Sequence, residues 1–291
     1  MNYRQLTYFV AVVEAGSITA AAKNLDLSQP PLSKQIIALE EELGIKLMER
    51  SSRRITLTDA GFLMYQRAKS IISMMENTAD ELSRFAQDRP GILRLGTISS
   101  CGSSLLKECL VDFCALYPQA TFEIYENNTY ELLEKLKKGE IEAAIVRTPF
   151  ENEGFECIYG REEPLVAVGL KSFLGETEIP ITPEALSLLP LNYYRRFEHI
   201  ILPVFQNKGL TCNTFCKSDD ARTPLMWAHS GLGVAVVPQS ISELLEKRDD
   251  VIIREIDCPD FITRMTAIYK KDGYISSIGK AFVEFWGQHN R

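Results

Sequence analysis

Residues 17–35 read SITAAAKNLDLSQPPLSKQ, and no other stretch of the chain carries a stronger structural signal. Ser17 precedes a run of alanines, and a polar N-cap followed by good helix formers predicts a helix over about 17–25. After a short turn, Ser28 is well placed to cap a further helix, and the two prolines that follow Gln29 suit its first positions because their φ is preset there. A further helix is therefore predicted from about Pro30 to Leu43.

The segments on either side of this stretch complete a compact unit. Apolar residues recur at three- and four-residue spacing between Tyr3 and Glu14, which predicts a helix with one face toward a core. A basic hairpin is predicted over residues 50–56. Three helices and a hairpin make residues 1–59 an N-terminal all-α winged helix-turn-helix domain. Such a unit places its last helix in the major groove of DNA, with the hairpin beside it as a wing.

The start of the third helix and the hairpin carry the candidate DNA contacts. Gln can read an adenine edge, Lys can reach a guanine edge or a phosphate, and the amides and dipole of a helix N-terminus favour phosphate. Arginines beside a recognition helix suit contacts to the DNA backbone. The plainer alternative for the same residue types is a solvated helix start and a solvated turn. The candidates are Ser28, Gln29, Pro30, Pro31, Ser33, Lys34, Arg50, Arg53 and Arg54.

Residues 1–88 resemble the N-terminal region of a LysR-type transcriptional regulator. The resemblance departs from the family at Met48, where Phe is usual, and a flexible Met fills the same apolar gap. The order and length of the matching segments make the pattern specific. They are residues 6–9, 16–22, 27–33, 39–44 and 57–61.

Composition sets the class of protein. The chain has 291 residues, 45% of them hydrophobic, so two or three domains are expected. It has no apolar run of membrane-spanning length and no signal-peptide pattern at its N-terminus, which predicts a cytoplasmic protein without a membrane partner. Its seven cysteines are an odd number, which favours free thiols in such a compartment.

The formal net charge of −7 is unevenly distributed. Residues 1–90 hold 11 Lys and Arg and 11 Asp and Glu, whereas residues 91–291 hold 21 and 28. DNA binding must therefore depend on local placement of basic residues, with the acids Glu40, Glu41 and Glu42 expected on the far side of the recognition helix. Nonspecific affinity for DNA is expected to be modest and sensitive to salt.

Residues 60–89 are predicted to form a linker helix, ending near Ala86, through which two copies pair. Apolar residues alternate in steps of four and three, which is typical of a coiled-coil seam. A helix packed on its own domain is the alternative. Paired copies would present two recognition helices to an inverted repeat in promoter DNA. The resemblance implies homodimers that commonly pair into homotetramers. The seam residues proposed for dimerisation are Met64, Ala68, Ile71, Met75 and Leu82.

Strand and helix patterns alternate over residues 90–291, which predicts an α/β domain with a mostly parallel sheet. Two crossovers, near residues 160–163 and 263–266, divide it into lobe I, about 91–161 and 267–291, and lobe II, about 162–266. The LysR-type effector domain has this two-lobed fold, which resembles periplasmic binding proteins. Ligands in such folds sit at the carboxyl ends of the strands.

The resemblance implies an effector site in the cleft between the lobes. Hydroxyls and amides at a helix start can hold an anion, and an arginine at a strand end would add a fixed positive fork. We therefore expect a small, carboxylate-bearing metabolite, although ordinary helix capping would account for each hydroxyl. Arg195 and Arg196 could bind an anionic ligand, but a solvated strand end is the preferred interpretation. The carried-over residues are Ser99, Ser100, Asn128, Thr129, Arg147, Thr148, Ile200 and Leu202.

Other chemistry has weaker support in the sequence. Cys101, beside a predicted helix start, is the candidate thiol of an alternative redox-sensing regulator. Cys212 and Cys216 would lie about 13 Å apart in a strand, too far to share a metal. No catalytic cluster, cofactor motif or export signal supports an enzyme or a solute-binding module. The sequence therefore predicts a regulator of transcription whose further partner would be RNA polymerase.

Overall fold

The computed structural model describes residues 1–50, 55–86, 91–101, 109–246 and 248–290. The chain divides into two compact units, 1–89 with 138–140, and 90–137 with 141–291. In the described part, no single helix is both long and apolar enough to cross a membrane. The first two helices pass that test only jointly and are bent by 115°.

The first unit has the predicted order of helices and strands. Strands β1 and β2 pair antiparallel, with Met48 opposite Leu57. Met48 is 3% exposed and belongs to the core of this unit, as the interpretation of its apolar role requires. The elements are α1 (Tyr3–Ala15), α2 (Ile18–Asn24), α3 (Gln29–Leu43), β1 (Met48–Arg50), β2 (Ile55–Leu57) and α4 (Asp59–Ala86).

The starts of α2 and α3 are capped differently. The Ser17 hydroxyl accepts a hydrogen bond of 3.1 Å from the amide of Ala20. Ser28 occupies the same position before α3, but its side chain makes no capping hydrogen bond. Pro30 and Pro31 follow the first residue of α3 and have no N–H to donate. The expectation that Ser28 caps this helix by its side chain was therefore wrong.

Glu40 is a buried acid that ties α3 to the first strand. Its Oε1 accepts hydrogen bonds from the amides of Leu47 (2.9 Å) and Met48 (3.2 Å), and its Oε2 accepts one from Lys46 Nζ at 3.0 Å. Burial by itself raises the pKa of Glu40, but these donors hold the pKa below its usual value. Glu41 and Glu42 are exposed. Of the three acids expected on the far side of the recognition helix, Glu40 is therefore buried in the core, whereas Glu41 and Glu42 are solvated.

Helix α4 packs its N-terminal part on its own domain. Ala68 is wholly buried in the core of the first unit, and Met64 packs against the same core. Tyr65 and Lys69 bond to Glu14 of α1. Met64 and Ala68 therefore face inward, which corrects the N-terminal end of the predicted seam. Beyond the core, exposed apolar side chains continue the same stripe of the helix with Ile71, Met75 and Leu82, and Met74 lies beside it.

The second unit is a mixed α/β structure. In the described part its helices are α5 (Val111–Leu116), α6 (Thr129–Lys138), α7 (Lys171–Leu174), α8 (Pro183–Ser187), α9 (Glu198–Asn207), α10 (Arg222–His229), α11 (Gln239–Ser242) and α12 (Ser277–His289). Its strands are β3 (Ile92–Thr97), β4 (Thr121–Glu126), β5 (Ala143–Arg147), β6 (Phe155–Leu170), β7 (Leu191–Tyr194), β8 (Thr214–Ser218), β9 (Val234–Pro238), β10 (Val251–Glu255) and β11 (Ile262–Lys270).

The strands follow the order β4-β3-β5-β11-β6-β9-β7-β8, with β10 beside β6. Strand β3 pairs parallel with β4 and β5, and β7 pairs parallel with β8 and β9. The long strands β6 and β11 run antiparallel to each other and to their other neighbours. Each lobe thus combines a parallel set of strands, β4-β3-β5 or β9-β7-β8, with antiparallel pairing to β6 and β11, so the sheet is mixed rather than mostly parallel.

Each lobe has its own apolar core. Phe113, Phe282 and Trp286 pack in the first core, and Tyr193 and Phe205 pack in the second. Strands β6 and β11 pass from one lobe to the other, as the two predicted crossovers require. Where they cross, a Cβ on Gly160 would lie 3.0 Å from the Met265 carbonyl oxygen and 3.1 Å from the Trp286 ring, so a larger residue would require these neighbours to shift.

Candidate functional sites

The start of α3 gathers an exposed polar surface. Leu32, Ile36 and Leu39 point into the core and are wholly buried, which turns the other faces of the helix outward. Ser33 is half-buried. Five of the predicted DNA contacts are exposed together at the N-terminal end of the helix, namely Ser28, Gln29, Pro30, Pro31 and Lys34.

The two prolines change how this surface can hold a phosphate. They occupy the second and third positions of α3, where a helix would otherwise offer free amides. Fewer backbone amides than expected are therefore available to bind a phosphate, and side chains must supply most of the donors. Arg53 and Arg54 lie outside the described residues, and only the backbone of Arg50 is described, at the end of β1.

A polar cavity of about 490 Å³ lies between the two lobes of the second unit. It opens where β3, β4, β5 and β7 end, so both lobes contribute to its wall. Three of the eight predicted effector residues line it, namely Ser99, Asn128 and Thr129. The other lining residues are Glu126, Asn127, Tyr130, Pro149, Tyr194, Arg195, Arg196, His199, Asp219 and Asp220.

The polar groups of Ser99, Asn128 and Thr129 at the cavity differ in their hydrogen bonds. Asn128 Oδ1 accepts a hydrogen bond of 3.0 Å from the Glu131 amide and so caps α6. Ser99 Oγ accepts one of 3.2 Å from the Ala221 amide of the other lobe. Thr129 Oγ1 is buried and has no hydrogen-bond partner among the described residues. Of the three, only the Thr129 hydroxyl is left with its full capacity to bond a ligand.

Arg147 is a structural residue rather than an exposed fork, which corrects the expectation drawn from its position. Its side chain is 0% exposed and pairs with the Glu163 carboxylate. Its Nη2 donates to the Ser100 carbonyl (3.1 Å) and to Ser240 Oγ (3.2 Å), and Glu163 Oε1 accepts the Ser240 amide at 2.6 Å. A guanidinium removed from water needs such a carboxylate partner. This network joins the two lobes beneath the cavity.

The remaining predicted effector residues do not line the cavity. Ser100 is buried, and its hydroxyl has no hydrogen-bond partner in the part of the chain that the structure describes. Thr148 faces β11, where its Oγ1 accepts the Arg264 amide at 3.0 Å. Ile200 and Leu202 are half-buried, and Ile200 packs on the core of the second lobe. The turn that precedes them, residues 194–199, lies at the cavity in the position expected for Ile200 and Leu202.

That turn brings charged residues that the sequence interpretation assigned to solvent. Arg195 pairs with Asp219 at 2.8 Å, while Arg196 Nη2 donates to the carbonyl oxygens of Pro149 (2.8 Å) and Arg147. Burial lowers the pKa of Arg196. Burial, together with the charge of Arg196, lowers the pKa of His199. The consecutive residues 193–196, two tyrosines and two arginines at a strand end, were the signal in the sequence.

Cys101 is buried, and this burial raises the pKa of its thiol despite the nearby charge of Arg147. A raised pKa lowers the fraction of reactive thiolate. The helix start expected after Cys101 falls at residues 102–108, outside the described residues. No group of three potential metal ligands occurs in the described part of the chain.

Comparison with known proteins agrees with both units. The family model for the LysR substrate binding domain matches residues 86–291, and that for the bacterial regulatory helix-turn-helix protein, lysR family, matches residues 3–62. The chain is 29% identical to the transcriptional regulator BsdA of Bacillus subtilis, covering 98% of this chain and 100% of BsdA. It is 32% identical to BenM of Acinetobacter baylyi, covering 84% and 82%.

Full-length CbnR, a LysR family regulator solved in complex with its target DNA, has the same fold. Its TM-score is 0.82, with 27% identity and 98% of each chain covered. The two family models together span nearly the whole sequence, and the proteins it resembles are regulators of transcription rather than enzymes. The chain belongs to the LysR family and is a DNA-binding transcriptional regulator with an effector-binding domain.

Proposed function

We propose that this regulator senses a small, carboxylate-bearing metabolite, which it binds in the cavity between the lobes. The observation that carries the proposal is the buried Thr129 hydroxyl, which lines the cavity and lacks a hydrogen-bond partner among the described residues. A carboxylate is a strong acceptor for such a donor. Arg196, from the second lobe, brings a positive charge to the same cavity.

A ligand in this cavity would touch both lobes. Its binding free energy would therefore depend on how the lobes are arranged, and only such a difference in affinity can shift a conformational equilibrium. The Ser99–Ala221 hydrogen bond already joins the two walls, so the described arrangement is one in which the lobes meet. We infer that the ligand changes how the regulator acts on its promoter by favouring one arrangement.

The test is the thermal stability of the purified chain with a panel of small carboxylic acids and their uncharged amides. A ligand at 100 times its dissociation constant adds about 2.7 kcal/mol to the free energy of unfolding. Thr129→Val should lower affinity for the acid that stabilises the wild type. Thr266→Val is the matched control, because Thr266 is equally buried and likewise lacks a hydrogen-bond partner among the described residues, but lies outside the cavity. Failure of every acid to stabilise the wild type would contradict the proposal.

We propose that the exposed start of α3, from Ser28 to Lys34, reads promoter DNA, with Arg50, Arg53 and Arg54 contacting its backbone. We also propose that α4 pairs two copies through its exposed apolar face, with Ile71, Met75 and Leu82 at the contact. Two copies related by a two-fold axis match an inverted repeat. Pairing of dimers into a tetramer would extend the same arrangement.

A thiol switch at Cys101 receives no support from the described geometry. The thiol is buried, and its raised pKa disfavours the thiolate that oxidants attack. We therefore keep a metabolite, rather than an oxidant, as the proposed signal.

A further inference from the structure

We propose that the ligand is an amino acid or a similar zwitterion, whose carboxylate binds Arg196 and whose ammonium group faces Glu126 and Asp220. This inference rests on the proposed function and names the ligand class of the same cavity. It follows from the way in which charged groups around the cavity are paired.

The arginines near the cavity differ in their partners. Arg195 forms an ion pair with Asp219. Arg222 bonds both Asp220 (2.5 Å) and Glu126 (2.6 Å), so that one guanidinium serves two carboxylates. Arg196 has no carboxylate partner among the described residues, and its known acceptors are the carbonyl oxygens of Arg147 and Pro149.

The pairing leaves one charge of each sign. Arg195 with Asp219 is neutral, and Arg222 with its two acids carries a net negative charge. Arg196 supplies the matching positive charge. A wall with one excess cation and one excess anion is complementary to a ligand that carries both charges, because each pole then meets its opposite.

Arg196 is also built to hold a carboxylate. The Nη2 atom fixes the guanidinium against the first lobe, while Nε is buried and unpartnered among the described residues. An unmade hydrogen bond at a buried donor is costly, so an acceptor at that position is favoured. The Thr129 hydroxyl, the other unpartnered donor of the same wall, can serve the second carboxylate oxygen.

The experiment compares three matched sets of compounds by thermal shift and titration calorimetry on the full chain. They are L-alanine, propionate and L-alaninamide; L-leucine, 4-methylpentanoate and L-leucinamide; and L-phenylalanine, 3-phenylpropionate and L-phenylalaninamide. At least one amino acid should bind the wild type, at least about tenfold more tightly than its acid or its amide, because each of those lacks one charge.

Variants then assign the two poles. Arg196→Met should weaken binding of the amino acid at least about tenfold, with partial recovery in Arg196→Lys, which keeps the charge but loses the planar fork. Glu126→Gln should reduce the preference for the amino acid over its deaminated acid. Arg254→Met is the control, since Arg254 likewise donates to backbone carbonyls, those of Leu174 and Ile179, away from the cavity. Each variant's melting temperature without ligand verifies that it folds.

The outcomes separate the two proposals. Binding of the deaminated acids as tightly as the amino acids, or undiminished binding by a folded Arg196→Met, would overturn the zwitterion while leaving a carboxylate effector in place. Absence of binding by any compound of these sets and of the wider acid panel would overturn both. Weaker binding of the amino acid by Arg196→Met, with unchanged binding by Arg254→Met, supports the assignment of Arg196 as the partner of the ligand's carboxylate.

Discussion

Glu40 is an ionised carboxylate in the core of the DNA-binding unit, and its three donors explain how it is tolerated there. Two of the donors are the amides that begin the first strand of the wing, and the third is the Lys46 ammonium. A buried acid with charge-assisted hydrogen bonds fixes the position of the chain that follows a helix. Glu40 therefore sets where the wing begins relative to α3.

We predict that Glu40→Gln lowers the free energy of unfolding by about 2 kcal/mol at neutral pH, because the amide is a weaker acceptor and adds donors opposite donors. The folded-state pKa of Glu40 is lowered, so its carboxylate stabilises the fold above the unfolded pKa of about 4.3 and loses this effect as the pH falls through the folded pKa. The difference between wild type and variant should therefore shrink below about pH 4. Urea unfolding at several pH values measures it.

Glu41→Gln is the control for that series, because Glu41 is the adjacent acid and is exposed. Its unfolding free energy should stay close to that of the wild type at every pH. A difference for Glu40→Gln that stays constant from pH 7 to pH 3 would show that loss of the charge is not the cause.

Two arginines show how far single residues could be predicted. Strand position predicted Arg147 at the effector site, whereas Arg196 was interpreted as part of a solvated strand end. Their roles are exchanged relative to the expectation, since Arg147 is buried on Glu163 and Arg196 lines the cavity. The exchange depends on Glu163, which is distant in sequence and reaches Arg147 only because β6 crosses between the lobes. Periodicity along the chain carries no information on such a pairing.

At the scale of elements, the helix starts provide a matched pair for a test. Ser17→Ala should lower the free energy of unfolding by about 1 kcal/mol, because it removes the hydroxyl that accepts the Ala20 amide. Ser28→Ala should change it by less than about 0.5 kcal/mol, because Pro30 and Pro31 have no N–H that could donate a hydrogen bond to the Ser28 hydroxyl. Urea unfolding of both variants makes the comparison.

The same pair separates stability from DNA binding. If Ser28 contacts DNA as proposed, Ser28→Ala should weaken binding to promoter DNA in fluorescence anisotropy, whereas Ser17→Ala should bind normally where it is folded. Equal destabilisation by the two substitutions would mean that Ser28 does cap α3, contrary to the geometry.

Most elements could be predicted because their apolar spacing is regular, and β6 shows where this fails. The strand β6 spans Phe155–Leu170, but polar residues 160–163 interrupt its pattern, so they were predicted as a crossover between the lobes and not as part of one long strand. Those residues lie where the strand leaves one core and enters the other. Side chains at this crossover face either solvent or the buried Arg147–Glu163 network, so the alternation of polar and apolar residues that marks a strand is lost.

At the scale of the whole molecule, the exposed face of α4 bears on assembly. Ile71, Met74, Met75 and Leu82 are between 37% and 64% exposed, whereas Met64 and Ala68, at the N-terminal end of the same stripe, pack in the core of the first unit. Burying a side chain of this size contributes about 1.5–3 kcal/mol, and a two-fold contact uses each residue twice. The proposed dimer would thus gain its stability from the C-terminal half of the helix.

We predict that the double variant Met75→Glu and Leu82→Glu weakens self-association at least tenfold, because four carboxylates would enter one apolar contact. Sedimentation equilibrium measures the dissociation constant. Gln66→Glu is the control, since Gln66 is an exposed polar residue of the same helix. A monomer carries one recognition helix, so binding to an inverted repeat should fall toward binding of a single half-site. A double variant with the mass of the wild-type oligomer would instead remove this face of α4 from the dimer contact.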